Sequence, residues 1–329
     1  MKYYDIFQEP FRLFGLIRDN GELCRMPEAA AKQVSENVLK YHAYTTGGRL
    51  AFRTNSQKIT LSVKFKDILK IENLSLMAIA GFDLYSNGRH KGVFAPPFDI
   101  IDQFESTKDL GTTDFKDLLL YFPLYSSVES IQIGLDDDAV VEAYNPYEPG
   151  DPIVYYGPSY THGGCASRPA NIYQAMVSRN TGIDYFNMGM DGSALGEPAI
   201  AEYIAGMNMR MFVMDYDANA PSAEHLTQTH ENFFKIIREK HPNIPIIIMT
   251  RPSYREGTQD FERRYVIHQT YMNAKHAGDN NVYFIDGATY FRSVDHDACT
   301  ADGIHPNDLG FYLIASQVTS VIKDIYRPL

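Results

Sequence analysis

Residues 145–164 read NPYEPGDPIVYYGPSYTHGG, and the change of character inside this stretch divides the chain. Its first eight residues hold three prolines and a glycine, which can continue neither a helix nor a central strand, so they read as a linker. The next five, IVYYG, form a compact apolar run of the kind buried on both faces of a parallel sheet. Similar runs follow at 183–188, 211–215, 244–250 and 282–285. Between them Ile200, Tyr203, Ile204 and Met207 keep helical spacing, as do Leu226, His230, Phe233, Phe234 and Ile237. Five alternations of strand and helix predict a three-layer, doubly wound α/β domain over 147–329.

Upstream of the linker the period changes from helical to alternating. Ile59, Leu61, Val63 and Phe65 alternate with Thr60, Ser62 and Lys64, and Ile131, Ile133 and Leu135 alternate before the turn at 136–138. The run 74–85 reads as another strand, followed by Asn87-Gly88, a strong hairpin signal. Residues 1–146 are therefore predicted to form an antiparallel β-sandwich of jelly-roll type.

The 329 residues are 44% hydrophobic and 22% charged, which suits a folded chain and not a disordered one. Thirty Lys and Arg against 41 Asp and Glu give a net charge of −11, the wrong sign for neutralising nucleic acid or an anionic membrane. Apolar runs such as 246–249 fall far short of the ~20 residues a membrane helix needs. The opening MKYYDIFQEPFRLFG lacks the basic start and apolar core of a signal peptide, so a cytoplasmic location is expected. Cys24, Cys165 and Cys299 are too few and too scattered for a disulfide framework or a CxxC metal site, and are expected to be reduced and inert.

Ligands of open α/β sheets collect at the carboxyl ends of the strands, so the residues that follow each strand are the candidates for chemistry. Ser159 stands in a glycine-flanked turn between a strand and a coming helix, where backbone N–H groups can face an anion. Residues 187–192, NMGMDG, carry two glycines; residues 215–221, DYDANAP, bring polar groups out of an apolar strand. Each has a plain alternative as a turn or helix cap. Near the C-terminus, DGIHPN at 302–307 sets Asp302 three residues before His305, a spacing that lets the carboxylate hold one imidazole nitrogen while the other serves as a base. His230, on an apolar helix face, reads as a core histidine.

In this order and spacing the four segments resemble blocks I, II, III and V of the SGNH (GDSL-like) hydrolase superfamily. The resemblance spans about 153–325, and GFDLY at 81–85 resembles the GxDLY signature of the sandwich that precedes one esterase branch. GGCASRP at 163–169, DYD at 215–217 and HPNDLG at 305–310 resemble that branch as well. Pro158 replaces the usual Asp before the serine, and block III lacks its usual glycine before and aspartate after Asn219. The resemblance implies an SGNH/flavodoxin-like fold with Ser159 as nucleophile, His305 as base and Asp302 as its orienting acid. It also implies an oxyanion hole from the Ser159 and Gly192 N–H groups and the Asn219 amide, and it implies neither metal nor cofactor.

Two Asp without a compact His/Cys set are a weak metal signal, so Asp215 and Asp217 join Arg168 and Arg251 as candidate substrate contacts. A thiol enzyme built on Cys165 is disfavoured because that residue falls outside the turn. The implied activity is removal of a short acyl group, acetyl first, from a carbohydrate or glycoside. Acyl transfer through the same intermediate and glycan binding by a vestigial site are the alternatives; retention of all four catalytic side chains argues against the latter. Trp is absent, but 23 Tyr can supply rings for a sugar. The expected partner is a small acylated, sugar-derived molecule, with self-association left open. The sandwich is expected to wall the acyl pocket, with loops near Asp83 and Tyr85 closing over it.

Overall fold

A computed structural model describes residues 1–252 and 258–326, so the last three positions of the expected 147–329 domain lie outside the described residues. The chain divides into two compact units, one of Met1–Pro27, His42–Glu148 and Ala166–Asn171, the other of Glu28–Tyr41, Pro149–Cys165 and Ile172–Leu329. Each unit thus borrows a short segment from the other's stretch of sequence.

The N-terminal unit is built from antiparallel sheets. In one, strands Lys2–Asp5, Ser126–Leu135, Lys58–Ile68 and Gln103–Asp109 lie side by side in that order. In the other, Arg49–Thr54, Lys116–Tyr121, Phe82–Ser86 and Arg89–Phe94 are successive neighbours. Alternation in the sequence becomes alternation of faces: Leu61, Val63 and Phe65 are buried while Ser62 and Lys64 are partly exposed. Phe65 meets Phe82 of the second sheet with ring centroids 6.3 Å apart, and Phe82 meets Phe122 edge-on at 5.1 Å, giving the sandwich an aromatic centre. The hairpin is closed by Asn87 (φ 48°) and Gly88 (φ 73°), the left-handed pair that a tight two-residue turn needs.

The run 74–85 is not one strand. Leu76–Ala80 is a short helix, and the strand begins at Phe82. Leu, Met and Ala favour helix over strand, and the helix buries Ala78, Ile79 and Ala80 while the Ile79 carbonyl accepts the Ser126 hydroxyl at 2.7 Å. Asp83 and Tyr85 therefore lie inside a strand and are buried, not on a loop poised over a cleft. Asp83 receives Arg168 on one carboxylate oxygen, with the Ala170 N–H at 3.1 Å on the same atom, and His90 Nε2 lies 2.8 Å from the other. The GxDLY aspartate thus pins segment Ala166–Asn171 to the sandwich.

The second unit carries the parallel sheet. Its strands are β1 (Ile153–Gly157), β2 (Tyr185–Gly189), β3 (Met211–Met214), β4 (Ile246–Met249) and β5 (Val282–Ile285), all parallel and in the order β2-β1-β3-β4-β5. This is the doubly wound order in which the crevice opens beside β1, where the direction of winding reverses. Every residue of β1 to β4 is buried, as helices on both faces require. Helix Ala223–Lys240 buries Leu226, His230, Phe233, Phe234 and Ile237, the stripe its sequence predicts. Helix Pro198–Ala205 stops before Met207, and Tyr203 is half-buried. Among the described residues no helix is long and apolar enough to cross a membrane.

Replacing Asp83 by Leu strands the Arg168 guanidinium. Urea unfolding should show a loss of about 3 to 5 kcal/mol, the usual result of breaking a buried ion pair by removing one partner. Substituting the exposed Phe98 should move the midpoint by less than about 0.5 kcal/mol in free energy.

Candidate active site

Ser159 opens a four-residue helix, Ser159–His162, two residues beyond the end of β1. Pro158 occupies the cap position with φ −83°, close to its ring-fixed value, so the residue that replaces the usual Asp fits the turn. The first N–H groups of a helix have no intrahelical acceptor, and that of Ser159 is one of them. The turn lies directly on the strand ends: a side chain at Gly157 would run into Thr161, and one at Gly189 into the backbone of Thr161 and His162. Only a missing Cβ permits this approach.

Beneath the turn Asp215, fully buried, accepts the Tyr160 hydroxyl at 2.7 Å and the Thr161 hydroxyl at 3.1 Å on separate oxygens, with Tyr173 at 3.3 Å. Burial pushes its carboxyl up to about 8; the nearby Asp217 charge adds to this, and the hydroxyl hydrogen bonds counteract it only in part. Asp217 is equally buried. Its carboxylate takes Arg263 Nε at 2.9 Å on one oxygen and the Arg251 N–H at 2.9 Å on the other. Arg263 also donates to the Asp217 and Ala220 carbonyls, clamping the one-turn helix Asp217–Asn219. Neither aspartate can meet a substrate: the expectation that Asp215 and Asp217 contact one is corrected, because both are sealed from solvent and saturated with internal partners.

Asn219 hangs from this clamp. Its Oδ1 accepts the Ala194 N–H at 3.3 Å, which leaves the amide nitrogen as donor and ties block III to the loop that carries Gly192. Gly192 is exposed with φ 64°, and an added Cβ would meet nothing, so its conformation and not its space favours glycine.

The loop before the last helix assembles its pair locally. Asp302 Oδ1 accepts the N–H groups of Ile304 at 3.0 Å and His305 at 2.8 Å, while Oδ2 meets His305 Nδ1 at 2.7 Å. Burial pushes the Asp302 carboxyl upward, but the His305 backbone and imidazole and the Ile304 N–H outweigh it and bring it down to about 2. With Nδ1 committed to Asp302, the remaining lone pair of a neutral His305 ring is on Nε2.

Ser159, Asn219 and His305 line one cavity of about 330 Å³, together with Arg251, Asp260 and Ile304. Arg251 is ion-paired with Asp260 on that wall. Arg168 belongs to the N-terminal unit, where Asp83 and Tyr85 engage its guanidinium. His230 is a core residue: its Nδ1 lies 2.9 Å from Thr270 Oγ1 and burial pushes it down to about 3. None of the three cysteines is in a disulfide and all are buried, but Cys165 is not remote, since its sulfur and ligand atoms of Asp302 and His305 lie within 4.8 Å of one another. Burial and the charges of Asp302 and Asp191 push this thiol up to about 12, so it remains protonated and is no thiolate nucleophile.

Sequence reading missed Arg263 and Asp260. A signal for Arg263 exists: it falls on the buried stripe Arg263, Ile267, Thr270 and Ala274 of helix Thr258–His276, where a charge needs a partner. Asp260 had none, being one more acid on a polar helix start.

Residues 150–323 match the GDSL-like lipase/acylhydrolase family, and residues 1–141 match the GxDLY N-terminal domain of SGNH-type esterases. The chain belongs to the GDSL-like lipase/acylhydrolase family. It is therefore of the ester-hydrolase class, and its fold is that of the SGNH hydrolases. No curated protein matches the chain. Among solved structures it is similar to a candidate GDSL-like lipase from Bacteroides ovatus, with 29% identity and a TM-score of 0.87 over 98% of this chain and 97% of that one. The salicylyl-acyltransferase SsfX3 of a tetracycline biosynthetic pathway shares the fold at 18% identity, with a TM-score of 0.81 over 99% and 98% of the two chains. So does the acetyl xylan esterase Est2A from Butyrivibrio proteoclasticus, at 11% identity and a TM-score of 0.64 over 99% of each.

The buried carboxyl gives a pH test. Between the ordinary carboxylate value of 3.8 and about 8, the folded chain holds a proton on Asp215 that the unfolded chain has lost. The stability linked to this group is full below pH 3.8, declines as pH rises and levels off above about 8. Asp215→Asn is neutral throughout and can still meet three hydroxyls, so its urea midpoint should fall less between pH 5 and pH 9 than that of the wild type. Asp215→Ala leaves those hydroxyls without their acceptor and should lose several kcal/mol at every pH.

Proposed function

We propose that this family member is a serine esterase that removes a short acyl group, acetyl first, from a carbohydrate or glycoside. The observation that carries the reading is the shared cavity: Ser159 and His305 line the same small space, and His305 is held by Asp302 on the nitrogen that does not act as base. A serine hydroxyl needs such a base at neutral pH. As Ser159 Oγ bonds to the ester carbonyl carbon, His305 Nε2 takes its proton, and Asp302 stabilises the imidazolium without taking the proton itself.

The carbonyl oxygen becomes an oxyanion within reach of donors of the kind that Ser159 N–H, Asn219 Nδ2 and the Gly192 N–H supply. Collapse breaks the bond to the alcohol, which leaves with the proton from His305. Water then repeats the sequence on the acyl-enzyme and regenerates the serine.

Substrate size and polarity follow from the walls. A cavity of about 330 Å³ suits a small acyl group and part of a polar alcohol better than a fatty chain. Arg251 and Asp260 offer paired donors and acceptors of the sort that sugar hydroxyls use, while Ile304 supplies an apolar surface for the acyl methyl. Interception of the same intermediate by an acceptor alcohol would make the protein a transferase. Product analysis on acetylated oligosaccharides with and without added alcohol separates the outcomes.

Ser159→Ala should lower hydrolysis of p-nitrophenyl acetate by at least about 10⁴-fold and abolish fluorophosphonate labelling. Persistent labelling would move the nucleophile elsewhere. Asn219→Ala should lower kcat by about 10² to 10³-fold.

A further inference from the structure

Cys165 occupies an unusual place for a thiol that takes no part in the chemistry. It is the third member of a group in which one sulfur, one oxygen and one nitrogen, from Cys165, Asp302 and His305, all lie within 4.8 Å of one another. The residues differ in exposure: the thiol is buried, the imidazole partly so, and the carboxylate faces solvent. His305 also lines the cavity that holds Ser159. We propose that Cys165, Asp302 and His305 form an inhibitory site for a thiophilic divalent cation such as Zn²⁺, which turns off the proposed esterase by occupying its base.

The chemistry of the donors fits such an ion. Thiolate, imidazole and carboxylate are the ligand types of zinc, and three protein ligands leave the fourth tetrahedral position to water. Bond lengths of about 2.0 Å to nitrogen and oxygen and about 2.3 Å to sulfur set the ligand atoms of a tetrahedral site some 3.3 to 3.6 Å apart. The three atoms, no more than 4.8 Å apart, reach that spacing by side-chain rotation.

Binding displaces the thiol proton to solvent, so Cys–SH and Zn²⁺ become a zinc thiolate and H⁺. The thiolate and the Asp302 carboxylate neutralise the dication, and Asp191 adds a further negative charge that acts on the thiol position. A ring that holds zinc through Nε2 has no lone pair left for the Ser159 proton, and hydrolysis stops.

The inhibition arm rests on the esterase reading; the spectroscopic arm does not. In the first, micromolar zinc should inhibit p-nitrophenyl acetate hydrolysis, EDTA should restore it, and Cys165→Ala should keep its basal rate while needing at least about tenfold more zinc. Cys165→Gly, at ease with the φ of 68°, gives a second variant should alanine disturb the turn. In the second, Co²⁺ added to the wild-type protein should produce a thiolate-to-cobalt charge-transfer band that is absent from both variants. Equal zinc sensitivity of wild type and variants, or a wild-type protein without the band, overturns the proposal. A band that depends on Cys165 in a protein hydrolysing no ester would keep the metal site and sink the esterase reading instead.

Discussion

Asp215 is the fixed point of the catalytic unit. A carboxyl with no exposure is costly unless its oxygens are hydrogen-bonded, and here the hydroxyls that satisfy it belong to Tyr160 and Thr161, the two residues after Ser159. Moving the serine turn by even an ångström would break those bonds inside a medium where no water can replace them. The group is also held against β1, since the Asp215 N–H donates to the Tyr156 carbonyl at 2.9 Å. The proposed nucleophile therefore inherits the rigidity of the sheet, which a side chain on a free loop would lack.

A second buried acid does the same work for the opposite wall. Asp217 joins Arg263 and the Arg251 backbone, so that Asn219 on one side and Arg251 on the other are set by a single ion pair. The two aspartates lie two residues apart and act in different ways. Asp217 has a guanidinium and two backbone carbonyls sharing that guanidinium, whereas Asp215 has only hydroxyls and holds its proton until about pH 8.

This pairing explains what the sequence could and could not reveal. The parallel sheet was legible because strands buried on both faces must be apolar throughout, and β1 to β4 are. Ser159 and the Asp302–His305 pair were legible because their spacing is local and their neighbours are glycine and proline. Asp215 and Asp217 look identical to solvent-facing loop acids, since their meaning depends on Tyr173 and Arg263, which are 42 and 46 positions away. Leu76–Ala80 failed for a related reason: five apolar residues have no period to read, and the packing around Ile79 decided for helix. Cys165 gave no hint of its neighbours, because nothing in a lone thiol marks the distance to residues 137 positions later.

The serine and the histidine must still be brought together over that length of chain, and the last helix does this. Asn307 caps it by accepting the Leu309 and Gly310 N–H groups at 3.0 and 3.2 Å, immediately after the Asp302–His305 loop. Phe311, Ile314, Ala315, Val318 and Ile322 bury one face, and the helix packs on Tyr173–Thr181, the helix that follows the nucleophile turn. At about 1.5 to 3 kcal/mol for each large apolar side chain, this stripe outweighs the roughly 1 kcal/mol that a cap or a surface hydrogen bond contributes. The dyad is thus assembled by short-range geometry and delivered by hydrophobic packing, so each task can be varied without the other. A substitution under the helix would shift the histidine relative to the serine while leaving its bond to Asp302 intact, whereas one at Asp302 would release the ring and the two loop N–H groups it accepts while leaving the packing of the helix unchanged.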